Sequence, residues 1–286
     1  MRVGNVWYQG QPRAALRVGD DGECRLLPEK YSCTDDLLDK LMDDAGRKEL
    51  VEEASESVAF ANLRWRPSVA APSKVLCIGL NYRRHARETG ADIPTVPVVF
   101  NKFPSTIAAD GDTIAIPRAT RQLDYEAELV MVMGRRAYRV SPEDSLNYVA
   151  GYTVGNDVSA RDLQRLTSQW LLGKSSPGFA PLGRWLTTRD DIADPGGLAI
   201  QLWRNGVLSQ DSHTEDMIFS CQTIISHLAS VWPLEPGDVI FTGTPEGVIL
   251  GLPEDKRRWI EDGDVVKVSI SRVGELTNQF VESRDE

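Results

Sequence analysis

The stretch that most constrains the fold is YEAELVMVM at residues 125–133, an apolar run that contains two acids. Its alternation and length predict a β-strand rather than a helix. Glu126 and Glu128 are two residues apart, so on a strand both carboxylates lie on one side. Val130 and Val132 continue that side, and we expect apolar groups to cover it. Two carboxylates in such a place cannot both stay ionised without a counter-charge.

A third acid follows a second strand-like run, residues 148–154. Asp157 is set in Gly155-Asn156-Asp157, a composition typical of a strand end or a turn. If the two strand ends are close, three carboxylates offer the oxygen-only ligands that a hard divalent cation such as Mg²⁺ or Mn²⁺ prefers. A Glu-x-Glu pair is also common on the solvent-exposed face of an edge strand, so the residues alone leave both interpretations open.

A candidate acid–base pair lies upstream, after a short apolar strand predicted at residues 75–80. His85 and Glu88 are three residues apart, so on a helical turn their side chains share one face. In such a pair the carboxylate orients the imidazole and stabilises the imidazolium that forms when the ring takes a proton. The alternative is a surface ion pair beside neighbouring arginines. The only other histidines are His213 and His227, so the choice of a catalytic imidazole is narrow.

Length and composition limit the class of protein. A chain of 286 residues can bury a large core, and we expect one large domain with a smaller companion. The net charge of −10 argues against a nucleic-acid surface. The four cysteines show no metal-ligand spacing, and no apolar run is long enough to predict a membrane span. With no secretory signal at the N-terminus, we expect reduced thiols and a cytoplasmic location.

The distribution of turn-forming and loop-forming residues along the chain predicts two domains. They are a small N-terminal domain at residues 1–72 and a catalytic domain at residues 73–286. Short alternating segments at 2–9, 14–18 and 24–27 predict an antiparallel β unit, and two acidic helical segments follow. Residues 63–74 have the composition of a connector. The second domain is predicted to be mainly β, with one helix between residues 216 and 231.

Several motifs, in the same order as in a known family, accompany these candidates. They are GLNY at 79–82 with His85 and Glu88, DYEAEL at 124–129, GYTV at 151–154 through DVSARD at 157–162, GKS at 173–175, and LEPGD at 234–238 through TGTP at 242–245. Together they resemble the fumarylacetoacetate hydrolase family, from about Lys74 to the C-terminus. The resemblance implies a mainly β fold with some helix, a mixed β-sandwich roll or flattened barrel with a small N-terminal α+β domain. It also implies a homodimer.

The resemblance gives roles to nine residues. In this resemblance, the ligands of one Mg²⁺ or Mn²⁺ ion per subunit correspond to Glu126, Glu128 and Asp157. A water-activating pair on a mobile segment corresponds to His85 and Glu88. An active-site lysine corresponds to Lys174, and substrate-binding residues correspond to Gln164, Thr244 and Arg161.

The function implied is that of a metal-dependent hydrolase. It would cleave a C–C bond in a 2,4-dioxo acid of the acylpyruvate type, giving pyruvate and a carboxylic acid. The same metal–enolate chemistry supports two alternatives, decarboxylation of an oxaloacetate-type acid and isomerisation of a hydroxymuconate-type diene. A non-catalytic binding protein with the same fold is a third.

Overall fold

The computed structural model describes residues 1–17 and 22–283, which form twenty strands and seven α-helices. The strands are β1 (Arg2–Tyr8), β2 (Gln11–Arg17), β3 (Glu23–Leu26), β4 (Glu56–Ala59), β5 (Arg64–Arg66), β6 (Val75–Gly79), β7 (Val98–Lys102), β8 (Ile107–Ala109), β9 (Thr113–Ile116), β10 (Leu123–Asp124), β11 (Ala127–Met133), β12 (Val149–Asn156), β13 (Ser159–Ala160), β14 (Ala180–Leu182), β15 (Trp185–Thr188), β16 (Ala199–Arg204), β17 (Val207–His213), β18 (Val239–Phe241), β19 (Val265–Ile270) and β20 (Gly274–Glu282). The α-helices are α1 (Leu38–Leu41), α2 (Asp44–Glu53), α3 (Arg83–Glu88), α4 (Pro142–Ser145), α5 (Arg161–Gln164), α6 (Leu171–Lys174) and α7 (Cys221–Val231). Short 3₁₀ helices lie at Thr34–Leu37, Phe60–Asn62, Pro104–Thr106, Leu146–Tyr148, Arg189–Asp191, Thr214–Asp216, Ile249–Gly251 and Glu254–Lys256.

The strands form three sheets, and most neighbours are antiparallel. The largest has 13 strands and runs β4-β3-β2-β1-β15-β12-β11-β18-β6-β7, with β5, β8 and β14 off this path. The second runs β17-β16-β19-β20-β9, and β10 pairs with β13 in the third. Within the described residues none of these sheets closes into a barrel. The expected mainly β fold with some helix is confirmed.

Strand β11 is the centre of the large sheet and is covered on both faces. Leu129 and Met131 pack in a core shared with the five-stranded sheet and α7, whereas Val130 and Val132 pack in a second core with residues of the N-terminal helices. Every residue of β11 is therefore buried, which explains why its sequence reads as a near-continuous apolar run. The alternative of a solvent-exposed edge strand does not hold, because β11 pairs with both β12 and β18.

The N-terminal segment extends the large sheet. β1 pairs antiparallel with β2 and β15, and β3 pairs with β2 and β4, so the predicted antiparallel unit is present. Val18, the last residue of the second predicted segment, and the turn after it at 19–21 lie outside the described residues. The predicted connector at 63–74 contains β5, which pairs with β1 through Trp65 and its neighbours. The division of the chain at residue 72 stays a prediction.

The helices of the described residues are short. None of them combines the length and the apolar character that crossing a bilayer would require.

Candidate active site

Three carboxylates converge where β11 begins and β12 ends. Glu126 directly precedes β11, Glu128 is its second residue, and Asp157 directly follows β12. The antiparallel register pairs Glu128 with Gly155, so these two strand ends lie side by side. One oxygen from each carboxylate lies within 4.8 Å of the others, and all three residues are buried. The structure thus brings together the three predicted metal ligands.

The residues before Asp157 make this close approach possible. A Cβ atom at Gly155 would lie 2.5 Å from the Phe241 ring and 2.6 Å from a Val130 methyl group, so only glycine fits there. The side-chain oxygen of Asn156 accepts a hydrogen bond from the backbone N–H of Glu126 at 2.8 Å. The Asp157 N–H donates to the backbone oxygen of Glu126 at 2.9 Å. The composition that suggested a turn therefore serves to hold one strand end against the other.

Two basic side chains neutralise Glu126. Its Oε1 lies 2.6 Å from Nη2 of Arg161, and its Oε2 lies 2.8 Å from Nζ of Lys174. Burial alone would raise the pKa of Glu126, but Arg161 and then Lys174 hold that pKa well below its usual range. Lys174 also lies 2.8 Å from Oδ2 of Asp157. Burial opposes its charge, yet Asp157 and Glu126 together raise the pKa of Lys174.

Glu128 has a different environment. Its carboxylate accepts a hydrogen bond from the backbone N–H of Gly243 at 2.7 Å, and no lysine or arginine of the described residues lies within the 4.0 Å of an ion pair. Burial, followed by the charges of Asp157 and Glu126, raises the pKa of Glu128 well above its usual value. The cluster thus holds one more carboxylate than its basic partners neutralise directly. A divalent cation held by the three carboxylates would bring positive charge beside Glu128, so the donor set fits Mg²⁺ or Mn²⁺.

A lysine that the sequence did not single out fixes Asp157. Lys102, at the end of β7, places Nζ 2.6 Å from Oδ1 of Asp157 and donates to the backbone oxygens of Val158, Lys174 and Phe179 at 3.0, 2.7 and 2.7 Å. Burial lowers the pKa of Lys102, with Asp157 acting in the opposite direction. Lys102 is the last residue of an ordinary strand and has no motif around it, so only the fold reveals this role.

Asp124 is a second residue that sequence reasoning missed. Its Oδ2 lies 2.9 Å from Nε of Arg161, and its two oxygens accept the backbone N–H groups of Ile249 and Leu250 at 2.9 and 3.0 Å. Arg161 is consequently held between Asp124 and Glu126, with Nη1 donating to the side-chain oxygen of Gln164 at 3.0 Å. The Asp–x–Glu pattern, Asp124 before Glu126, was a signal that could have identified it.

The predicted acid–base pair lies at the wall of the same site. Nδ1 of His85 is 3.1 Å from Oε1 of Glu88, on the short helix α3. Both oxygens of Glu88 also face the backbone N–H of Gly247, at 3.1 and 3.0 Å. His85 is 6% exposed, so the alternative of a surface ion pair does not hold. Gly251 approaches closely, because a Cβ there would lie 2.5 Å from the Glu88 carboxyl carbon.

Eight of the nine predicted site residues, all except Glu88, line one cavity of about 210 Å³. Its lining includes Glu126, Glu128, Asp157, His85, Arg161, Gln164, Lys174 and Thr244, together with Ile78, Gly79, Leu80, Thr89, Ala91, Phe100, Arg165, Trp170 and Leu250. Phe100 and Trp170 meet edge to face at 5.3 Å and form an apolar wall. Thr244 receives a hydrogen bond from Gln210 at 3.0 Å. Glu88 orients His85 from behind, and a larger cavity of about 520 Å³ elsewhere contains none of these residues.

A buried set of oxygen ligands beside an oriented His–Glu pair defines an enzyme with a candidate divalent-metal site. Residues 74–281 match the family model described as fumarylacetoacetate (FAA) hydrolase C-terminal. The chain therefore belongs to the fumarylacetoacetate hydrolase family and is an enzyme of that superfamily, whose members commonly use a divalent metal.

Named relatives cover most of the chain. A fumarylacetoacetate hydrolase domain-containing protein 2 homolog from Dictyostelium discoideum is 45% identical over 217 residues, 72% of this chain and 71% of the relative. Oxaloacetate tautomerase YisK from Bacillus subtilis is 40% identical over 233 residues, 80% of this chain and 77% of the relative. A crystal structure described as a putative HpcE protein from Mycobacterium smegmatis matches with a TM-score of 0.85 and 34% identity, covering 99% of this chain and 100% of that one.

Proposed function

We propose that this enzyme is a divalent-metal-dependent tautomerase that interconverts the enol and keto forms of oxaloacetate or a closely similar small 2-oxo acid. The observation that carries the proposal is the small cavity in which one oriented histidine shares a wall with the carboxylate triad. Its volume of about 210 Å³ is below the range of roughly 300–1,000 Å³ typical of sites for drug-sized ligands. The similarity to an oxaloacetate tautomerase over 80% of the chain supports the same choice.

The proposed cation, Mg²⁺ or Mn²⁺, would be held by Glu126, Glu128 and Asp157 and would supply a Lewis acid for the oxygens of the substrate. His85 moves the proton: it takes one from the enol hydroxyl and returns one to C3, and the reverse sequence forms the enol. One O–H bond breaks and one C–H bond forms, so no water is consumed. Glu88 keeps Nδ1 of the ring engaged at 3.1 Å and stabilises the transient imidazolium.

A second candidate function is hydrolysis of an acylpyruvate. The observation in its favour is the same dyad, since an imidazole oriented by a carboxylate also deprotonates water. In that reaction the water has to share the cavity with the substrate and its acyl group, for which 210 Å³ leaves little room.

Product analysis separates the two candidates. The protein is offered oxaloacetate, acetylpyruvate and fumarylpyruvate, each with Mg²⁺, with Mn²⁺ and with a chelator, and products are identified by NMR. We expect faster exchange between the oxaloacetate tautomers, lost with chelator, and no cleavage of either acylpyruvate. Metal-dependent release of pyruvate and a second carboxylic acid would instead establish the hydrolase.

A further inference from the structure

Oxaloacetate has a second carboxylate that the metal and the histidine do not account for. One lysine and two arginines line the cavity: Lys174, Arg161 and Arg165. Two of them are already engaged. Arg161 is held by Asp124 and Glu126 at 2.9 and 2.6 Å, and Lys174 by Glu126 and Asp157 at 2.8 Å each. Neither can turn to a substrate carboxylate without leaving a buried acid unpaired, which is costly.

Arg165 differs from both. It is the C-cap residue that ends α5, and its backbone N–H donates to the backbone oxygen of Arg161. Its Nε donates to the backbone oxygen of Arg161 at 3.4 Å, and its Nη2 to the side-chain oxygen of Gln122 at 3.3 Å. Both acceptors are neutral and both distances are long for hydrogen bonds. Within residues 1–17 and 22–283, no carboxylate lies within 4.0 Å of this guanidinium.

We propose that Arg165 binds the distal carboxylate of a 2-oxo dicarboxylate and so makes the enzyme selective for dicarboxylic substrates. This inference rests on the proposed function and deepens it. The planar guanidinium matches a carboxylate with two parallel hydrogen bonds, and binding exchanges two long contacts with neutral oxygens for charge-assisted ones. Arg165 is an exposed residue that lines the cavity, so little desolvation opposes the new pair. Solvent limits its strength to a preference of about fivefold.

Ligand binding tests this assignment without turnover. Titration calorimetry on the Mg²⁺-loaded protein compares N-oxalylglycine, which has a 2-oxo acid head and a distal carboxylate, with oxamate, which has a similar head alone. We expect the natural chain to prefer N-oxalylglycine and Arg165→Gln to lose about fivefold in affinity for it, with oxamate binding unchanged. Arg165→Lys should restore part of the preference. Arg136→Gln, which removes an exposed arginine paired with Glu235 at 3.1 Å, is the matched control.

Equal binding of the two ligands by the natural chain, or an undiminished preference in Arg165→Gln, would overturn the role of Arg165. A parallel assay of oxaloacetate tautomerisation keeps this failure distinct from that of the proposed function. Loss of the preference in Arg165→Gln supports the role of Arg165 even if oxaloacetate is not turned over. Turnover of oxaloacetate with an intact preference in Arg165→Gln supports the tautomerase and removes Arg165 from it.

Discussion

Two regions of the site differ in how they are held: the carboxylate corner, which is the triad with Lys102 and Lys174, and the acid–base side, which is His85, Glu88 and Arg165. At the corner, Lys102 and Lys174 ion-pair with buried acids and Lys102 also binds three backbone oxygens, so the positions of the ligands are determined several times over. On the acid–base side, His85 and Glu88 belong to a six-residue helix, and Arg165 makes two long hydrogen bonds. We infer that the corner is preorganised for a cation, whereas the acid–base side is held by fewer contacts.

The largest expected effect is at the corner. Glu128→Gln removes a metal ligand, and we expect affinity for Mn²⁺ to fall by more than about 100-fold and turnover to be lost with it. The metal-free protein should keep its stability, because Glu128 has no basic partner to lose and the change relieves repulsion among carboxylates. Calorimetric titration with Mn²⁺ and thermal unfolding measure the two effects.

Glu143→Gln is the control for this change, since Glu143 is an exposed acid in the first turn of α4 and does not line the cavity. Unchanged Mn²⁺ affinity in Glu128→Gln would show that the triad is not the metal site.

The second prediction compares the loss in the free energy of unfolding when a buried lysine and an exposed lysine are replaced. Lys102→Met removes the charge beside Asp157 and three hydrogen bonds to backbone oxygens. Leaving a buried acid without its partner is expected to reduce the free energy of unfolding by about 3–5 kcal/mol. Lys267→Met, which breaks an exposed ion pair with Glu275 at 2.8 Å, should cost no more than about 1 kcal/mol. Denaturant unfolding measures both, and similar losses for the two variants would contradict a special role for Lys102.

A smaller effect, a reduction in kcat, is expected on the acid–base side. Gly251→Ala places a methyl group 2.5 Å from the carboxyl carbon of Glu88. Glu88 would have to move away from Gly247 and carry His85 out of position, so we expect kcat to fall roughly tenfold, below the 10²–10⁴-fold typical of a lost acid–base group. Affinity for Mn²⁺ should not change. Gly263→Ala is a control in open space, although its positive φ adds strain. A loss of metal affinity in Gly251→Ala would mean that the carboxylate corner and the acid–base side are coupled.

The same difference explains which site residues could be predicted from the sequence. Strand and helix periodicity relates residues that are close in the chain, and it identified Glu126 with Glu128 and His85 with Glu88. Asp157 was identified from its place after the second predicted strand, and the family motifs supported all five residues. Lys102 was missed because its partners come from other parts of the chain, which no local pattern reveals. Arg165 was missed because only the folded structure shows that it lines the cavity. The central position of β11 was also hidden: its apolar run predicted burial, but not that residues 1–72 would extend the same sheet.

The most direct test of the central claim is the rate of enol-to-keto conversion of oxaloacetate by the natural chain and by His85→Asn, each loaded with the same measured amount of Mn²⁺. The enol absorbance is followed in buffer low enough in concentration to suppress background exchange. We expect His85→Asn to bind the metal with unchanged affinity and to lose about 10²–10⁴-fold of the catalysed rate. Conversion by His85→Asn at the natural rate, with the metal still bound, would contradict the claim.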